Sequence, residues 1–103
     1  MYKLVFFVPL THAEVVKQAV FASGGGRIGN YDSCSFETEG VGQFRPLEGS
    51  QPFLGQSGQI EKVKELRVEL VVEDSKIRNV VEAMKKAHPY EVPAYDVMKL
   101  EDF

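Results

Sequence analysis

Two stretches of the chain repeat one pattern, strand then helix then strand, and this repetition limits the folds open to it. In the second half, Leu66, Val68, Leu70 and Val72 alternate with Glu65, Arg67 and Glu69, the period-2 signature of a strand with one buried face. Asp74-Ser75 offers a helix N-cap, and Ile77, Val80, Val81 and Met84 recur along one helical face. Pro89 stops that helix, because the residue before a proline is pushed out of the α region. Ala94 to Leu100 reads as a closing strand. In the first half, residues 2–8 are β-branched and aromatic and read as a buried strand. Thr11-His12-Ala13-Glu14 has the form of a capping box, and Ala13, Val16, Ala19 and Val20 make an apolar stripe. Gly24-Gly25-Gly26 ends the helix, and residues 28–38 read as a strand with weak alternation.

Two such units predict an α+β, ferredoxin-like βαββαβ sandwich over residues 1–103, with two helices on one face of an antiparallel sheet. Right-handed crossovers place the first and third strands centrally, in keeping with their being the most apolar. That topology brings Thr11 and His12, the 39–60 excursion and the turn His88-Pro89-Tyr90-Glu91 to one end. The glycine turn at 24–26 lies at the other. The glycine-rich stretch 40–58 is too long for a hairpin loop. Its Phe44, Leu47, Phe53 and Leu54 predict a loop that packs on its own domain or on a neighbouring subunit, with room for a short strand around Gln43–Arg45.

Apolar residues make up 44% and charged residues 26% of the 103, which is the balance of a soluble globular chain and not of a disordered one. No apolar run approaches the ~20 residues of a membrane span, and Met1 to Pro9 lacks the basic leader and cleavage site of a signal peptide. A cytoplasmic location is therefore expected. Twelve basic residues face 15 acidic ones, net −3, and they interleave across Glu61–Glu69 as on a solvated strand face. This charge pattern excludes nucleic acid and membrane surfaces as expected partners. A chain of this size buries only about 60–70% of its unfolded surface, so self-association would help it.

Gly24-Gly25-Gly26-Arg27-Ile28-Gly29 matches G-x-G-x-x-G letter for letter, yet a helix precedes it and a strand follows. A dinucleotide fingerprint needs the reverse order, so the glycines are read as a helix stop. The two histidines, His12 and His88, fall at the same end as Glu91, and Glu37, Glu39 and Glu48 reach that region from the loop. Imidazole nitrogens with a carboxylate suit a divalent metal ion such as zinc or copper. The plainer role for His88 is to cap the carbonyls of the helix it ends. The lone Cys34 permits no internal disulfide and is read as a buried structural thiol. Tyr31, Tyr90 and Tyr95 are read as core or interface residues with one wet edge.

The block Gly26-Arg27-Ile28-Gly29-Asn30-Tyr31-Asp32-Ser33-Cys34-Ser35-Phe36 resembles the G-x-I-G-x-Y-x-x-C-x-F block of YqfO-type proteins. So do Gly40-Val41-Gly42-Gln43-Phe44-Arg45-Pro46, Gly55-Gln56-Ser57-Gly58 followed by Glu61 and Glu65, and His88-Pro89-Tyr90-Glu91-Val92-Pro93-Ala94-Tyr95-Asp96. These proteins belong to the Nif-three-like group, whose main domain carries a dinuclear metal centre. The chain is similar to their inserted domain alone, a module like the PII signalling proteins and CutA. The resemblance implies a ferredoxin-like fold and a homotrimer built by extending sheets across subunits, and no segment here matches the main domain's metal ligands. Val92 stands where the family commonly has a second glutamate.

The resulting expectation is a non-enzymatic module that binds a small ligand, an ion or a protein partner through His12, His88, Tyr90 and Glu91. A divalent metal on His12, His88 and Glu91 is one form of it. The alternatives are a metal-assisted hydrolase of a small phosphorylated substrate and a purely structural oligomerisation module.

Overall fold

A computed structural model describes all 103 residues. Strand β1 (Tyr2–Pro9) leads through a short 3-10 turn into helix α1 (Ala13–Ala22), followed by strands β2 (Phe36–Phe44) and β3 (Glu61–Val72). A second 3-10 turn leads into helix α2 (Ile77–Ala87), and β4 (Tyr95–Lys99) closes the sheet. The strand order is β2-β3-β1-β4, antiparallel throughout, so β1 and β3 are central as expected. No helix is long and apolar enough to cross a membrane.

Alternation decides which residues make the core. Leu4, Phe6 and Val8 of β1 and Val68, Leu70 and Val72 of β3 point to the helices. There they meet Val16 and Val20 of α1 and Val80 and Met84 of α2, all fully buried. The opposite set, Phe7, Glu65, Arg67 and Glu69, forms the open face of the sheet with Gly40, Gly42 and Phe44 of β2. Residues 61–64 of β3 pair only with β2, so the two strands project past the sheet as a ribbon.

Neither expected helix cap forms, because other side chains and the chain's amine engage the capping groups. The capping box does not form: the Thr11 hydroxyl lies 2.8 Å from Nδ1 of His12, and Glu14 pairs with Lys17 instead. Asp74-Ser75 is likewise no cap, since the Asp74 carboxylate accepts from the N-terminal ammonium and from Lys99 Nζ. Those two donors hold the Asp74 carboxyl low, at about 2. The second strand begins at Phe36 and runs to Phe44, eight residues later than residue 28. Residues 26–34 form a closed turn in which Ile28 and Tyr31 exchange backbone hydrogen bonds and Cys34 N–H donates to the Gly26 carbonyl. Gly26, at φ 75°, must be glycine, because a β-carbon there would stand 2.7 Å from the Cys34 carbonyl. Cys34 is thus a half-buried turn residue, not a core thiol, with its Sγ 3.6 Å from the Asp32 carbonyl.

Candidate ligand-binding cleft

The expected gathering at one end is present. β1 ends at Pro9 beside Glu65, α2 ends at His88, and the 45–60 loop folds back over both. His88 is the anchor. Its backbone N–H closes the last turn of α2 on the Met84 carbonyl, but its ring does not cap the helix. Nε2–H donates to the Phe7 carbonyl of β1 at 2.6 Å, and Nδ1 accepts from Tyr90 N–H at 3.1 Å. With one nitrogen donating and the other accepting, the ring is held neutral in a single tautomer. Burial pushes its pKa below the ordinary value, outweighing the opposing pull of the Phe7 carbonyl and Glu65.

The bond to Nδ1 aims Tyr90 at the sheet. Its hydroxyl donates to Oε2 of Glu65 at 2.6 Å. Burial and that carboxylate drive the phenol pKa upward, so Tyr90 stays the proton donor of the pair. Glu65 is only 9% exposed, unusual for a glutamate on the open face of a sheet. The room comes from β2. Gly40 lies directly opposite Glu65, and a β-carbon at Gly42 would collide with Oε1 and stand 2.5 Å from Cδ.

Above the Tyr90–Glu65 pair opens a cleft of about 310 Å³, walled by Phe44, Phe53, Pro46 and Leu54 from the loop side and by Tyr90 and Glu91 from the turn. The Tyr90 ring lies 6.0 Å from Phe44 and 6.4 Å from Phe53. The loop is tied down by Gln51 N–H donating to Oε2 of Glu91 at 3.0 Å and by Phe53 packing edge-on against His12 at 5.1 Å.

Of the residues singled out from the sequence, Tyr90 and Glu91 line the cleft, while His88 stands behind Tyr90 and His12 outside the wall, behind Phe53. His12, His88 and Glu91 are not drawn into one ligand set, and no three His, Cys, Asp or Glu side chains anywhere converge as a metal site would need. Sequence reading missed Glu65, Phe44 and Phe53 as site residues. The signal that marks Glu65 is the pair of glycines on the neighbouring strand, since glycine inside a strand often marks a close approach.

No protein-family model matches the chain. The GTP cyclohydrolase 1 type 2 homolog of Halalkalibacterium halodurans is 49% identical over 100 residues, 97% of this chain and 27% of the relative. Among solved structures, a Bacillus cereus protein related to NIF3 superposes with a TM-score of 0.83 at 48% identity, over 98% of this chain and 26% of the other. CutA1 from Pyrococcus horikoshii shares the fold across 100% of this chain and 86% of its own, with a TM-score of 0.70 at 21% identity. The chain spans about a quarter of the length of the relatives it matches in sequence. The chain is therefore similar in sequence to about a quarter of these NIF3-related relatives, and it shares its fold with CutA.

Proposed function

We propose that this chain is a non-enzymatic, ligand-responsive module, that its site is the cleft between the 45–60 loop and the 88–94 turn, and that it works as a homotrimer. The observation that carries this reading is the cleft over the Tyr90–Glu65 pair. Its volume, about 310 Å³, is at the lower end of the range for small-molecule sites, and it joins apolar walls to a few convergent polar groups. The polar groups beneath it hold one another in place: His88 fixes Tyr90, and Tyr90 fixes Glu65. A site ordered before binding spends less free energy on ordering when the ligand arrives. One wall is a loop held by a single hydrogen bond and by Phe53, so occupancy of the cleft is felt along residues 45–60.

The relatives' shared name refers to GTP cyclohydrolase chemistry. In a protein of that length this module would regulate the rest of the chain and not itself carry a reaction. The homotrimer is supported by the family resemblance and by β2, an edge strand that exposes Phe36 and Val41 and so invites pairing with another copy.

Native mass spectrometry of protein purified from its own cells without chelators tests the reading. A trimer carrying a fixed extra mass, lost in Glu65→Gln, is the expected result. A bare trimer favours the purely structural role, and a monomer removes the trimer from the proposal.

A further inference from the structure

We infer that the cleft selects a small organic cation: an amine, amidine or guanidinium carried on an apolar or aromatic body. This rests on the reading of the cleft as a ligand site and adds the ligand's chemical class. The residues lining the cleft include two carboxylates, Glu65 and Glu91, and no lysine, arginine or histidine. An anionic ligand would meet only like charge there, at a site where burial weakens screening by solvent.

Glu65 supplies the specific contact. Tyr90 occupies Oε2, whereas Oε1 accepts no hydrogen bond from the protein, although the side chain is more than nine-tenths buried. That free oxygen lies over Gly42, where any side chain would displace it. Oε1 is not sealed from solvent, so water satisfies it before a ligand arrives, and a cationic N–H that replaces the water is the strongest donor it can take. The rings of Phe44, Phe53 and Tyr90 line the same space, and aromatic rings attract cations. On the same sheet face Arg67 lines an adjoining hollow that shares Phe7, Gly42 and Glu65 with the cleft. The Arg67 guanidinium is engaged with Glu69 at 3.6 Å and lies 5.9 Å from the Phe7 ring centre. An inorganic cation is the poorer fit, because Glu65 and Glu91 have no third acidic, histidine or cysteine ligand converging with them.

Three isosteric probes separate the possibilities: benzamidinium, neutral benzamide and anionic benzoate, each titrated at neutral pH into isotope-labelled protein and followed by amide NMR shifts. The expected result is saturable displacement of Gly42, Phe44, Phe53, Glu65 and Tyr90 resonances by benzamidinium alone. Glu65→Gln keeps an oxygen for the Tyr90 hydroxyl but removes the charge. It should weaken benzamidinium about 10- to 100-fold, the value of one charge-assisted hydrogen bond. Gly42→Ala, which displaces the carboxylate without touching its charge, should do the same. Benzamide or benzoate binding as tightly as benzamidinium overturns the cation assignment and leaves the cleft a ligand site. Undiminished benzamidinium binding by Glu65→Gln, with the native spectrum retained, also overturns it. No displacement by any of the three overturns the assignment and the cleft reading together.

Discussion

Replacing His88 with alanine tests the framework that orders the cleft. The imidazole joins three segments: α2 through the backbone, β1 through the Phe7 carbonyl, and the 88–94 turn through Tyr90 N–H. Truncation removes two hydrogen bonds and leaves a carbonyl and an amide with no partner at a site that is 6% exposed. Each abandoned group costs about 1–3 kcal/mol, so the variant should lose about 2–6 kcal/mol, a large share of the ~5–15 kcal/mol that holds a domain together. Urea unfolding measures it, through a lower midpoint with an unchanged slope. The effect should also depend on pH. The folded-state pKa of His88 lies below its unfolded value, so the contribution of the neutral ring is complete above about pH 6.5. It is lost as pH falls through the lowered folded value, because the unfolded chain then binds the proton more readily. The gap between wild type and His88→Ala should therefore narrow on acidification. A loss below about 1 kcal/mol at neutral pH, outside the range above, would refute the bridging role, as would a gap that widens on acidification.

Three further outcomes follow from the same structure. Gly42→Ala should fold normally, since the colliding atoms are the far end of a flexible side chain. Alanine's advantage in a strand, about 0.5–1 kcal/mol, then partly offsets the lost Tyr90–Glu65 bond of about 1.5–3 kcal/mol, leaving a net cost of about 0.5–2.5 kcal/mol by thermal unfolding. Met84→Ala, at a fully buried position between α2 and the sheet, should cost about 2–5 kcal/mol in urea without altering the Tyr90 and Glu65 amide shifts. The Asp74 carboxyl should titrate at about 2 by carbon NMR, and Lys99→Met should raise it, because Lys99 is the larger of its two stabilising partners.

The sequence disclosed the parts of this fold that burial controls. The alternation in 65–72 and the apolar stripes of the helices map onto the core, because each follows the period of its own element. The convergence of His12, the long loop and the His88 turn was legible too, since strand order and crossover hand dictate it. Local capping signals misled. Thr11 and Asp74 have the right chemistry for N-caps, yet His12 and the pair of Lys99 and the N-terminal amine claimed them. The start of β2 was misplaced because Ile28, Tyr31 and Phe36 have strand-forming side chains, while Gly29 and Ser33 at positive φ curl the backbone. The same strand runs through Gly40 and Gly42, residues of low strand propensity held by pairing to β3. Glu65 was hidden for a related reason. In an alternating strand a glutamate reads as the solvated face, and only its neighbours across the sheet show otherwise.

The most direct test of the central claim uses the small-molecule fraction of the source cell, added to isotope-labelled protein and followed by amide NMR. The account expects displacements confined to Gly42, Phe44, Phe53, Glu65, Tyr90 and their neighbours, all abolished in Gly42→Ala. Displacements centred instead on the 26–34 turn, or ones that survive unchanged in Gly42→Ala, would contradict it.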